Sequence, residues 1–543
     1  MTTTPLLLLL SLWASGAQQH DTHAQGAAKP ATLMPGMGRL NHPIATKNPD
    51  AQRFFNQGLT LTYGFNHDEA IRSFRRAAEL DPTSPMPHWG IALALGPNIN
   101  LDVDPERERA AYNEAQRAKA LAARAPATER AYVDALLERY SSDPKADLKA
   151  LAVDYKNAMR DLVRQYPNDL DAATLYAESL MDLHPWQLWS ADGTPTEGTE
   201  EIVSVLESVL KRDPMHVGAN HYYIHAVEAS KTPDRALPSA RRLDTLVPAA
   251  GHLVHMPAHI YMRTGNYDAA VAANAKAADI DRKYIAETKA GGVYPLMYFN
   301  HNLDFLASAA MMSGQFAKAS AAADELVASV LPAIPEMAMI EPFGAKKLYV
   351  LLRFARYDDV MKLPAPDSKH ALLTMLWHFG RGVAQAARGN AADAERERDA
   401  YRVAQRRVAP DFDWGYNKAR AMFAVSDAVL NAWIARAKHD EAGSIDAWRT
   451  AVLAEDALSY DEPPDWFYPT RESLGAAFLR AKRYAEAEQA FRDDLTRNPK
   501  NGRSLFGLWQ TLLAQKKASA AAAEREFRDV WKNADVTLDL ETF

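Results

Sequence analysis

The sequence predicts an all-α protein built from stacked helical hairpins. Two observations carry that reading. Alanine-rich segments of mixed charge dominate while runs of β-branched residues are scarce, a composition that favours helix over strand. A pattern of small and apolar residues also returns at a regular interval, the mark of an array in which each hairpin leaves an apolar face that only its neighbour covers. At 543 residues the chain is too long for one compact core. A repeat array meets that limit by growing in one dimension.

The best-formed copies stand near the two ends. In FFNQGLTLTYGFNHDEAIRSFRRAAELDP, Phe54 to Pro82, Gly58 is small where two helices approach. Ala70 and Ala77 are small on the second helix, Phe74 packs between the helices and Pro82 ends the unit. SLGAAFLRAKRYAEAEQAFRDDLTRNP repeats the arrangement with Gly475, Tyr484, Ala487, Phe491 and Pro499, and in both copies 24 residues separate glycine from proline. This pattern resembles the tetratricopeptide repeat, a helix–turn–helix unit of about 34 residues. Looser copies surround Ala236, Gly265, Gly314 and Gly389. The resemblance implies a tetratricopeptide-like solenoid, a right-handed superhelix of about 8–10 helix pairs. Its first helices would line a concave groove open to a protein, peptide or small-molecule ligand.

Irregular segments punctuate the array. Residues 331–346, LPAIPEMAMIEPFGAK, hold three prolines and read as a linker between an N-terminal array over 47–330 and a C-terminal one over 347–543. Residues 183–200 insert a loop bearing Trp186 and Trp189 between a first helix and its partner. Such loops often carry function, so the two tryptophans either contact a ligand or pack on the solenoid ridge. GPNINLDVD, Gly96 to Asp104, lacks the length and closing Glu of a calcium loop and reads as a helix connection. DEPPDWFYPTRES, Asp461 to Ser473, reads as a cap on an apolar edge or a partner site.

The N-terminus shows the shape of a secretory signal, an apolar run from Pro5 to Trp13 followed by small residues to Ala17. Residues 1–17 are accordingly expected to be a signal peptide of an exported bacterial protein, periplasmic or secreted. Residues 18–46 read as a flexible leader in which His20, His23 and His42 are incidental. No later segment is long and apolar enough to span a bilayer. A net charge of −7 and a pI of about 6.2 leave no basic field for nucleic acid. The chain has no cysteine, hence no disulfide and no thiolate ligand.

The histidines carry the chemistry. NHYYIHAVEAS sets His221 and His225 four residues apart, and 34 residues later HMPAHIYMRTG does the same with His255 and His259. Both pairs precede an equivalent alanine, Ala236 or Ala270, by 15 and 11 residues, so they occupy matching places on adjacent first helices. Residues four apart share a helix face. His252 and His301 are likewise equivalent, each 18 residues before Ala270 or Ala319, and Asp304 matches His221 and His255 in its own unit. Imidazoles at i, i+4 chelate metal ions, and a nitrogen set without thiolate suits zinc, copper or iron. Pro257, between His255 and His259, must start or kink a helix. His88, His370 and His378 stand singly on apolar helices and read as structural.

Two functional classes follow. The first is an exported solenoid that binds a ligand or protein in its groove, with a metal centre at His221, His225, His252, His255, His259 and His301. Without a metal, the histidines with Tyr222, Tyr223 and Tyr261 would instead hydrogen-bond an organic ligand or peptide carboxylate in that groove, beside Asp304, Trp186 and Trp189. The alternative is a metal-dependent enzyme, hydrolase or oxidoreductase, in which Glu228 or Glu178 moves protons. HMPAH lacks the glutamate of the His-Glu-x-x-His zinc proteases, and no nucleophile elbow, phosphate loop or dinucleotide fingerprint is present.

Overall fold

The computed structural model describes residues 31–543. The expected signal at 1–17 and the leader as far as residue 30, with His20 and His23, lie outside the described residues. Within them the chain is a succession of antiparallel helical hairpins, and the single sheet is a two-stranded ribbon, Asp413–Trp414 against Asn417–Lys418.

The first hairpin shows how sequence becomes structure. Asn48 accepts from the backbone N–H of Asp50 and Ala51 and, with Pro49 in the first turn, starts the helix Pro49–Tyr63. A tight turn with Phe65 at φ 55° leads to His67–Leu80. Phe74 is fully buried between Gly58 of its own hairpin and Gly90 of the next, where added Cβ atoms would lie 2.6 Å from its ring. The same construction returns in Thr470–Arg480 and Tyr484–Arg497, where Phe491 lies between Gly475 and Gly507. The repeated glycine therefore marks where neighbouring hairpins close over one aromatic ring. The all-α hairpin solenoid expected from the sequence is what the chain forms.

The apolar core is split in two. One part runs from Ala31 to Tyr298, the other from Ala258 to Phe543. The division falls within residues 258–298, earlier than the proline-rich segment. Residues 331–346, expected to be a linker, make short 3₁₀ turns after the helix Phe316–Val330, and Ile334, Ile340 and Ala345 are buried in the second core. Their apolar side chains find a place there, so the prolines shape a corner inside one core.

The leader also differs from expectation over residues 31–46. Ala31, Met37 and Ile44 are buried, and the Gln52 side chain donates to the His42 carbonyl at 2.8 Å. The His42 ring donates through Nδ1 to Asp171 at 2.8 Å. A segment with buried apolar residues and a paired ring is fixed to the array, and His42 is not incidental.

The C-terminal segment folds back onto the helices between residues 267 and 330. The Asp535 carboxylate accepts from the Phe316 and Ala317 N–H groups at 2.7 and 2.9 Å, capping the helix Phe316–Val330. Trp531 packs on Gly314, where a Cβ would lie 2.4 Å away, and Asn533 donates to Asp268 at 2.6 Å. The inserted loop takes part as well. Trp186 stacks on Tyr416 at 4.9 Å between ring centroids and donates to Asn100 at 3.1 Å. Residues from before and after the split in the core therefore meet at Trp186 and Tyr416. No helix of the described residues is long and apolar enough to cross a membrane.

Candidate functional site

The helix Val217–Glu228 carries His221, His225 and Glu228. Its neighbour is broken at Met256 into Gly251–His255 and Pro257–Arg263, because Pro257 lacks the N–H that would continue it. The break aims His255 inward: its Nε2 lies 2.9 Å from His259 Nε2. His301 comes from Asn300–Met312, which a π-helical turn, Tyr294–Phe299, precedes. The six histidines form one contiguous cluster. Centroid distances are 4.9 Å for His221–His225, 5.3 Å for His225–His259, 5.6 Å for His252–His255 and 4.9 Å for His255–His301. The two couples meet through His225 and His259, while His221 turns to His252, with their Nε2 atoms 3.2 Å apart.

Hydrogen bonds decide which nitrogen carries the proton. Nδ1 of His221 faces the Tyr63 carbonyl at 2.6 Å, and Nδ1 of His255 faces Asn274 Oδ1 at 2.6 Å. Nδ1 of His225 and of His259 face the two oxygens of Glu228, at 2.8 and 2.5 Å. All four partners are acceptors, so all four Nδ1 atoms must donate. Every Nε2 of this group then offers a lone pair when its ring is neutral. His225 Nε2 is buried with no partner, and the lone pairs of His255 and His259 point at each other. Only a proton or a metal cation between them satisfies both.

Electrostatics keep most of the rings neutral. Burial, and after it the neighbouring imidazoles, drives His221, His252 and His255 well below the usual histidine range and His301 to about 3. Burial also lowers His225, against the pull of Glu228. For Glu228 burial opposes ionisation, yet His259 and His225 together bring it to about 2. The carboxylate is charged and wholly enclosed.

A cavity of about 250 Å³ lies against the cluster. Its wall includes His225, His252, His259, His301, Asp304 and Trp186, and from farther along the chain Lys346, Tyr416, Asp461, Glu462 and Asp465. Burial pushes Asp461 up to about 6 and Glu462 to about 7, and raises Asp465 well above the usual carboxylate range. Tyr460 bridges the halves, donating to Glu462 at 2.8 Å with Glu228 at 3.3 Å.

The other candidates divide. Trp186 packs edge-on against His225 at 5.4 Å, and Trp189 donates to the Ala226 carbonyl at 2.8 Å, so the first faces the cavity and the second fixes the loop to its helix. Asp304 lines the cavity but pairs with Lys346 at 2.5 Å. Tyr222 is buried against Tyr63 and Phe65, Tyr223 donates to Glu207 at 2.6 Å, and Tyr261 does not line the cavity. Glu178 lies beside Asp182, which pairs with Arg139 at 2.6 Å, in an earlier layer where burial holds Glu178 well above the usual range. His88 and His378 each meet one carboxylate, Glu114 and Glu397, at 2.7 Å. Tyr416, Asp461, Glu462 and Asn274 were outside the sequence-level site. Of these only the Asp461 segment carried a signal, its paired prolines and aromatics.

Comparison with known proteins finds the tetratricopeptide repeat over residues 51–84 and 254–284. The second match contains His255, His259 and Asn274. No curated protein matches the chain. Among solved structures, yeast Tom70 is 10% identical over 89% of this chain and 90% of its own, with a TM-score of 0.29. Cut9–Hcn1, an APC/C hetero-tetramer, is 12% identical over 92% and 95%, with a TM-score of 0.28. The P58(IPK) TPR domain is 12% identical over 86% and 98%, with a TM-score of 0.22. Two hairpins thus match the tetratricopeptide repeat, and helical hairpins follow one another along the described chain as an all-α solenoid.

Proposed function

We propose that the chain is an exported solenoid that keeps a divalent transition metal (zinc, copper or iron) at its histidine cluster and takes a small ligand in the adjoining cavity. The observation that carries this reading is the pair of opposed lone pairs on His255 and His259, 2.9 Å apart. Their surroundings support a metal as the cation. An imidazole whose Nδ1–H is held by a carboxylate or carbonyl is the usual form of a metal ligand, and four rings here have that form. The unpartnered Nε2 of His225 supplies a further nitrogen. An all-imidazole set suits zinc, copper or iron.

The cavity supports the ligand. His252 Nδ1, Tyr349 OH and Glu462 Oε1 line it as buried polar atoms without partners, a cost that a bound polar molecule or water removes. At about 250 Å³ it is smaller than the usual drug-sized pocket, so the occupant is a small molecule. Protein partners would meet the solenoid's outer surfaces.

Elemental analysis of protein purified without an affinity tag tests the metal. Stoichiometric zinc, copper or iron that disappears in a folded His225→Ala, His259→Ala variant supports the reading. A metal-free protein that acquires none of these ions on dialysis sinks it. Export rests on the N-terminal pattern, and sequencing the mature N-terminus in a periplasmic fraction, expected after Ala17, tests it.

The enzyme reading is favoured by one observation: Asp461, Glu462 and Asp465 line the cavity as carboxyls poised to hold protons near neutrality. Under it the proton carrier is Glu462. Glu228 has both oxygens engaged and acts as a positioning residue, and Glu178 lies elsewhere. Water-proton couplings in the resonance spectrum of the copper-loaded protein would mark an open coordination position, and a shell closed to water would overturn this reading.

A further inference from the structure

Resting on the metal reading above, we infer that the six imidazoles are two three-nitrogen sets, each holding its own ion, and that the site is binuclear. His221, His225 and His252 bring one donor atom each within 4.8 Å of one another, and so do His255, His259 and His301. Each set contains a close nitrogen pair, His252–His221 at 3.2 Å and His255–His259 at 2.9 Å. Structural and catalytic ions bound through imidazole take about three or four protein ligands. Six rings therefore exceed what one ion uses and match what two need.

The surroundings follow the same division. Glu228 gives one oxygen to His225 of the first set and the other to His259 of the second. One carboxylate thus orients a ligand in each set and places its negative charge between them. That charge offsets the repulsion of two cations held side by side. Asn274 and the Tyr63 carbonyl each fix one further ring, His255 in the second set and His221 in the first. Two sets, each with its own positioning acceptor and one shared, are built alike from consecutive repeats.

The test is metal stoichiometry on the full chain. Metal-free protein is titrated with Cu(II), and separately with Zn(II), desalted and assayed for metal and protein. About two ions per chain are expected, as in other paired sites. One ion per chain overturns the binuclear assignment and leaves the metal reading intact, whereas none overturns both. His301→Gln, on the partly exposed edge of the second set, should reduce binding to about one ion. Spin counting gives an independent readout: a Cu(II) pair couples, so wild-type resonance intensity falls short of the copper content, and His301→Gln restores one full signal per bound ion. Equal spin and copper in the wild type at two ions per chain would also overturn the pairing, because it would mean distant sites. Both wild-type measurements stand even if the variant fails to fold.

Discussion

Replacing Glu228 with glutamine tests how much of the site depends on one buried carboxylate. Glu228 accepts Nδ1–H from His225 at 2.8 Å and from His259 at 2.5 Å. Glutamine has one acceptor oxygen, so one imidazole keeps a neutral bond while the other meets an NH₂ group, donor against donor. Losing an outer partner of a metal-bound histidine costs about 10–100-fold in affinity. With two histidines affected, Glu228→Gln should weaken Zn(II) binding by about 100-fold, or roughly 2.8 kcal/mol. The metal-free protein loses a charge-assisted bond as well, worth about 1.5–3 kcal/mol. Competition against a chromophoric chelator measures the first effect and urea unfolding of the metal-free protein the second. A folded variant that binds zinc as tightly as the wild type would refute the assignment of Glu228 as the residue that positions both rings.

Three further predictions address the scaffold and the roof. Glu472 lies between Arg353, 2.9 Å away, and Arg503, 3.0 Å away; burial opposes its charge, yet the guanidiniums hold it below the usual carboxylate range. Its folded value lies below its unfolded value of about 4.3, so its contribution is present at neutral pH and lost as pH falls through the folded value. Glu472→Gln should therefore destabilise the protein by about 3–5 kcal/mol at pH 7, and thermal melts should show the gap from wild type shrinking below pH 4. Gly475→Ala should cost up to about 2 kcal/mol in urea unfolding, because collision with Phe491, about 1–3 kcal/mol, exceeds the roughly 1 kcal/mol gained in helix propensity. Tyr416→Ala removes the ring stacked on Trp186 and should speed diethyl pyrocarbonate modification of the cluster histidines; an unchanged rate would show that Tyr416 does not guard them.

The part of this architecture legible in the sequence is the part that repeats. Equal distances to Ala236 and Ala270 put His221, His225, His255 and His259 on matching faces, and the same phase brought in His252 and His301. Phase also explains the residues that fell away. A helix turns about 100° per residue, so Tyr222, one position past His221, and Tyr261, two past His259, point elsewhere, and Glu178 is claimed by the Arg139 layer. Nothing local signals that Tyr416 and Glu462, 191 and 237 residues beyond His225, would line the same cavity. Those contacts depend on how the hairpins curve, which is a property of the whole stack. His42 was misread for a similar reason, since its partner Asp171 lies 129 positions away.

The stacked pair at the cavity wall has a kinetic consequence. Trp186 and Tyr416 stand as facing doors hung from segments 230 residues apart in the chain, so parting their rings widens the way in. Their fastenings are the ring stack and the Trp186 bond to Asn100, whereas the buried Arg353, Glu472 and Arg503 keep the second core rigid within itself. Exchange past these rings should then follow the rate at which they part, and stiffening the loop that carries Trp186 would lengthen occupancy.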